Sequence, residues 1–245
     1  FWSQAIDMKN LTAVRSTYQG KEVGIVVWRK TVLYPQISGK LVLEPLALDL
    51  VVDAPTNRRD MWGRYQYTTV NKTISAGAKT INVKPLPEAG KPEDFGGGVG
   101  KFNFAVKPSK TEIKHGETID LEVSVTGNGN LKLFTLPKPV VPSALEIYDP
   151  VHTEKVTTPI SGMQGKISDK YTIVPQFQGN YTIKGLTFSY FDLATKTYKS
   201  VTSEDIIIKV IDGPTSTEAL ASTDSTSFGK QVAKKNAKFE NIALK

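Results

Sequence analysis

Cysteine is absent from the 245 residues. That excludes disulfides, thiol catalysis, iron–sulfur clusters and Cys-ligated zinc. Histidine occurs only at His115, in the turn KHGE, and at His152, after a Pro-containing bend. No HExxH, facial triad or Ser-His-Asp order is written around either one, and no DxDxDG calcium loop occurs. GGGVGKF invites comparison with a phosphate loop and fails it. Phe95 stands where that pattern needs glycine, and Phe102 stands where it needs a hydroxyl after the lysine. No run of 18 apolar residues is present, so no transmembrane helix is expected within these residues. A basic-then-apolar start with a small-residue cleavage site is missing too, and Phe1 opens in mid-pattern. The expectation is a piece of a longer protein, so the missing targeting signals say nothing about where that protein resides.

What is there fits water-soluble domains with real cores: 39% apolar residues and a mean hydropathy of -0.24. Net charge is +7, with the basic surplus mainly in residues 1–90. There Arg58, Arg59 and Arg64 lie close to Trp62, Tyr65 and Tyr67. Such a cluster can stack on bases and neutralise phosphates. No nucleic-acid module signature accompanies it, so a solvated loop or a protein-contact patch is the reading, with no nucleic-acid partner.

Two distant segments match without a gap. YPQISGKLVLEPLALDL, from Tyr34, sets Pro35, Gln36, Gly39 and Leu46 against Pro175, Gln176, Gly179 and Leu186 of VPQFQGNYTIKGLTFSY. They also share a fault. Leu41 and Leu43 slip to Leu46, Leu48 and Leu50, as Tyr181 and Ile183 slip to Leu186, Phe188 and Tyr190. A three-residue step flips the buried face of a strand unless a bulge or bend absorbs it, and Pro45 and Gly185 sit at the two slips. One fold used twice, with the bend kept, is the reading.

The second copy has the clearer strands. ETIDLEVSVT puts Ile119, Leu121, Val123 and Val125 on one face, with acids and hydroxyls on the other. Further strands are predicted near Phe102–Val106, Leu131–Leu136, Leu145–Tyr148, Lys170–Val174, Tyr181–Phe191 and Ile206–Val210. About seven short strands with turns between them predict an immunoglobulin-like sandwich. Tyr181, in QGNY, resembles the tyrosine corner of such folds but is read as core. The expected organisation is all-β: a first sandwich over 1–90, truncated at its start, a Pro/Gly-rich linker over 91–100, a second sandwich over 101–212 and a polar tail over 213–245. The first sandwich repeats only the second half of the plan, short of roughly three strands. It should keep a long strand pair around Lys21–Tyr34 and Gly39–Val52, a closing strand Thr80–Lys84, and an insertion, APTNRRDMWGRYQYTTVNKTISAG. Leu41, Leu43, Leu46, Leu48 and Leu50 should therefore be covered by the second unit, the tail or another copy, or else the unit should be poorly ordered.

Carboxylates mostly alternate with apolar residues, as Asp120 and Glu122 do, and read as solvent-facing. Asp49, between Leu48 and Leu50, is read as an outward position on the bent strand. Asp60, Asp94 and Asp149 fall in predicted loops. With Arg58, Arg59, Trp62, Arg64 and Tyr65 they are the candidate partner-binding residues. No catalytic, cofactor or metal site is expected. Sequons stand at Asn10, Asn71 and Asn180, and Asp224-Ser225-Thr226 resembles a Bacteroidetes O-glycosylation acceptor at Ser225.

FWSQ, RKTVLYPQISGKLVLEPLALDLVV, GNGNLKLFTLPK, YTIKGLTFSYFDLATKTYKSVTSE and above all the run from Pro85 to Phe102 resemble the BatD, or aerotolerance, family of Bacteroidetes and other bacteria. The resemblance spans about residues 1–211 and carries no catalytic residue. It implies a membrane-anchored protein with immunoglobulin-like domains on the periplasmic face of the envelope. It also implies a link to oxidative stress, and neighbouring Bat proteins with von Willebrand A domains as partners. Membrane contact would come only through segments outside this chain. The expected function is non-enzymatic protein binding or scaffolding; a carbohydrate-binding module or surface adhesin, with Trp62, Tyr65 and Tyr67 as platforms, is the alternative.

Overall fold

The computed structural model describes residues 1–8 and 11–215, and among these there is no helix. The described residues are all-β and sandwich-like. The first unit contains β1 (Trp2–Ile6), β2 (Ala13–Tyr18), β3 (Lys21–Val26), β4 (Lys30–Tyr34), β5 (Gly39–Leu43), β6 (Leu46–Arg59), β7 (Tyr65–Ala76) and β8 (Lys79–Val83). The second contains β9 (Gly98–Pro108), β10 (Glu112–Ile113), β11 (Ile119–Gly129), β12 (Leu145–Ile147), β13 (Val151–Thr157) and β14 (Gln164–Pro175). It ends with β15 (Gly179–Ile183), β16 (Thr187–Asp192), β17 (Thr197–Thr202) and β18 (Ile206–Val210).

In the second unit a large sheet runs β12-β14-β11-β9-β16-β17, with β13 also on β14, and faces the small sheet β10-β18-β15. Ile119, Leu121, Val123 and Val125 are completely buried, as the alternation requires. Asp120 and Glu122 face outward and pair with Lys170 at 2.7 Å and Lys166 at 2.6 Å, across the antiparallel β11–β14 ladder. Tyr181 packs partly buried against the core, and its hydroxyl donates to the carbonyls of Phe177 at 3.0 Å and Gln178 at 3.3 Å. That return to backbone just upstream is the tyrosine-corner geometry.

The shared slip is the point where the chain changes sheets. Tyr181 and Ile183 enter the core from the small sheet, whereas Leu186, Phe188 and Tyr190 enter it from the large one. The predicted strand Tyr181–Phe191 is therefore two strands. Gly185 lies between them, where a Cβ would stand 2.1 Å from the Ser203 carbonyl oxygen. Only glycine fits that approach. The first unit has the same nesting: β5 pairs with β8 and β6 with β7, as β15 pairs with β18 and β16 with β17, with Pro45 at the break.

Several expectations fail. Leu131–Leu136 is a turn followed by irregular chain that still buries Leu131 and Leu136. Asn130 fastens its start, accepting from the Val99 amide at 2.7 Å and donating to the Gly97 carbonyl at 2.8 Å, and Pro137 and Pro139 deny it a ladder. The short β10, the largely exposed β13 and the half-exposed β17 carry too little apolar alternation to be read. In the first unit the two long segments do not pair with each other: β4 pairs with β1, and β3 with β2. The supposed insertion is mostly the continuation of β6 and β7.

Among the described residues the first unit forms four two-stranded ribbons and no larger sheet. By pairing and order, β1 and β2 correspond to β12 and β13, β3 and β4 together to the single long β14, and β5 to β8 to β15 to β18, while no described strand corresponds to β9, β10 or β11. In the second unit β9 and β11 join β14 to β16 and bring Phe102 and Phe104 onto Phe188. Without such strands no described residue before Gly98 is buried. Leu46 is exposed, and Leu41, Leu43, Leu48 and Leu50 are only half-buried. The expected cover is thus absent among the described residues.

Candidate partner-binding surface

β6 and β7 outrun their counterparts in the second unit and contact chiefly each other. Outward-facing threonines of β7 tie the stem of this arm: Thr73 donates to Asp49 at 2.6 Å, and Thr69 to Asp53 at 3.0 Å. Asp49 thus has the outward position expected of it. Farther out, a register shift between Pro55 and Arg59 twists the ribbon into its apex.

The apex, Asp60–Arg64, is a fixed turn. One Asp60 carboxylate oxygen accepts from the Trp62 and Arg64 amides, both at 2.9 Å. The Asp60 carbonyl accepts from Gly63 at 3.0 Å, and the Asp60 amide donates to the Arg64 carbonyl at 2.9 Å. Gly63 has φ of +77°, a conformation that other residues rarely take. Arg59 braces the turn, donating to the Gly63 carbonyl at 2.9 Å and the Tyr65 hydroxyl at 2.8 Å while lying 4.2 Å above the Tyr65 ring. Asp at the first and Gly at the fourth place of DMWG signal such a turn.

What the turn displays is apolar. Met61 is 84% exposed and Trp62 75%. Met61 was not among the candidates, because nothing in a sequence marks which apex residues point outward. Arg58 and Arg64, also exposed, have no side-chain partner among the described residues, so the three arginines divide into one brace and two outward cations. Tyr65 has one ring face under Arg59, which leaves Trp62 and Tyr67 as the open aromatic faces.

The three loop acids prove unequal. Asp60 is spent on its turn. Asp94 takes the Ser189 hydroxyl on both oxygens, at 2.9 and 3.0 Å, and fastens the segment before β9 to β16. Asp149, just before β13, is exposed and its carboxylate has no partner among the described residues. Asp94 and Asp149 do not join Asp60 and the arm's apex in one site; they lie on separate elements of the second unit.

His152 and His115 do not form a pair either. His152 Nδ1 meets Asp169 at 2.5 Å and Nε2 meets Glu154 at 3.4 Å, joining β13 to β14, and Glu154 reaches Lys132 at 3.5 Å. The hydrogen bond to Asp169 raises the His152 pKa against a smaller opposing cost of burial. The His115 amide donates to Asp212 at 2.6 Å beside Gly213. Among the described residues no cluster of three or more metal-ligating side chains occurs. Between the units, Tyr34 accepts a 2.5 Å hydrogen bond from the Met163 amide beside a cleft of about 940 Å³ lined by Ile37, Leu86, Val99, Leu133 and Leu193. Asn71 and Asn180 are exposed; Asn10 and Ser225 lie outside the described residues.

Residues 106–210 match the family model described as the BatD DUF11-like domain. No curated protein matches the chain, and no solved structure does.

Proposed function

We propose, from the BatD domain that this chain carries over residues 106–210, that it serves as a non-enzymatic protein-binding segment of a BatD-like protein. Its place is the periplasmic face of the cell envelope, in the tolerance of oxygen and oxidative stress. The partner is a von Willebrand A domain of a neighbouring Bat protein, and the contact is a carboxylate completing that domain's metal ion. Asp149 supplies it. The supporting observation is that Asp149 alone of the three candidate loop acids is both exposed and unspent, since Asp60 and Asp94 already hold their own backbone and Ser189. A carboxylate already committed to such bonds would have to break them to ligate a metal.

Co-purification from envelope extracts with membranes intact tests the reading. The protein should recover a von Willebrand A protein, in a manner lost with chelator and with Asp149→Asn. Recovery indifferent to both, or repeated failure to recover such a protein, overturns it.

A further inference from the structure

The apex of the β6–β7 arm holds Met61 and Trp62 in water by a turn built for that geometry. Loops that merely connect strands have no need of such exposure: the corresponding turn of the second unit, Leu193–Lys196, joins β16 to β17 with a single exposed leucine. Here the backbone is fixed by Asp60 and Gly63 and braced by Arg59, so the ordering cost of presenting a side chain is already met before any encounter. Trp, Met, Tyr and Arg are the residues enriched where proteins meet, and a buried Trp ringed by polar contacts is the usual energetic centre.

Charge decides between kinds of partner. Arg58 and Arg64 point outward at the apex, whereas the stem carries exposed Asp49 and Asp53 on its outer face. An extended anionic surface, such as a bilayer or a nucleic acid, would meet those acids as well as the arginines. A compact site meets the apex alone. We propose that this apex is a docking tip that inserts Met61 and Trp62 into an apolar pocket of a partner protein, while Arg58 and Arg64 pair with carboxylates on the pocket's rim.

This rests on the protein-binding reading but not on Asp149 or on a metal. A photo-reactive benzoylphenylalanine in place of Met61, with Thr195 substituted as control, is introduced into the whole protein in living cells. The adduct is identified by mass spectrometry, and the captured protein is purified and titrated against the chain. A single protein adduct specific to position 61 is expected. Trp62→Ala should weaken its binding roughly thirty-fold or more, and Trp62→Phe much less. Arg58→Glu with Arg64→Glu should slow association about ten-fold or more and flatten its salt dependence. Unchanged circular dichroism and melting of each variant keeps folding out of the result, and Asp149→Asn should leave this contact intact. The proposal is overturned by adducts only to lipid or glycan, by equal labelling from position 195, or by a captured protein that binds Trp62→Ala as tightly as the parent.

Discussion

His152 lies opposite Asp169 in the β13–β14 ladder, and their hydrogen bond raises its pKa. A raised folded pKa means that the contribution to stability is complete below the unfolded value, about 6.5, and is lost as pH rises through the folded value. The melting temperature of His152→Gln should therefore fall short of the parent's by most below about pH 6.5, and the gap should close at alkaline pH. Scanning calorimetry from acid to alkaline buffers checks it, and a gap that stays constant with pH removes the ion pair as its cause. The ring is half exposed, so solvent keeps the effect modest. Tyr171 makes the opposite case. Its hydroxyl is buried with no partner among the described residues, and burial raises its pKa. Tyr171→Phe should leave stability unchanged or raise it by about 1 kcal/mol, read from urea midpoints; a clear loss would reveal a hidden partner. The His152 pairing was not legible in the sequence. His152 and Asp169 meet only through a cross-strand register, and β13 is too polar to be read as a strand.

Between β15 and β16 the chain passes from one sheet to the other, and the alternation slip at Gly185 was a visible trace of that passage. Sequence alone reported a bend. Which sheet each half joins depends on partners far along the chain, so the crossing itself stayed hidden. Gly185→Ala pushes a methyl group onto the Ser203 carbonyl and should cost about 1–3 kcal/mol in chemical denaturation. No loss would mean that the backbone there yields freely. The repeat also sets up a controlled comparison. Phe188 and Leu48 are equivalent by the segment match, yet Phe188 is buried on Phe102, Phe104 and Phe134, while Leu48, opposite Ile74 in its ribbon, is only half-buried. Phe188→Ala should cost about 3–5 kcal/mol and Leu48→Ala about 1 or less. Comparable losses would show that the leucine face is covered in solution. Binary alternation marked those leucines as a would-be core face, but it cannot supply the strands that would bury it.

Across the whole molecule, the two units touch through Tyr34, whose hydroxyl accepts from Met163 and whose ring meets Trp2 edge-on at 5.8 Å. Tyr34→Phe should speed hydrogen exchange at the Met163 amide about five-fold, the worth of one hydrogen bond, while leaving the core of β11 as protected as before. An unchanged Met163 rate would mean that the contact does not persist. Tyr34 gave no sign of this role in the sequence, because an inter-unit bond has no periodicity. A second long-range feature has a kinetic meaning. β9 opens the second unit, yet one of its edges is completed by Tyr190 and Phe191 of β16, running parallel to it. Parallel pairing between segments so far apart is slow to form, because loop closure precedes any compensating contact. On the ribosome, at about 5–20 residues per second, β9 must wait roughly 5–20 s before β16 exists. For that interval Phe102 and Phe104 lack the aromatic partner Phe188, and the nascent chain is exposed to chaperones, proteases and its own neighbours.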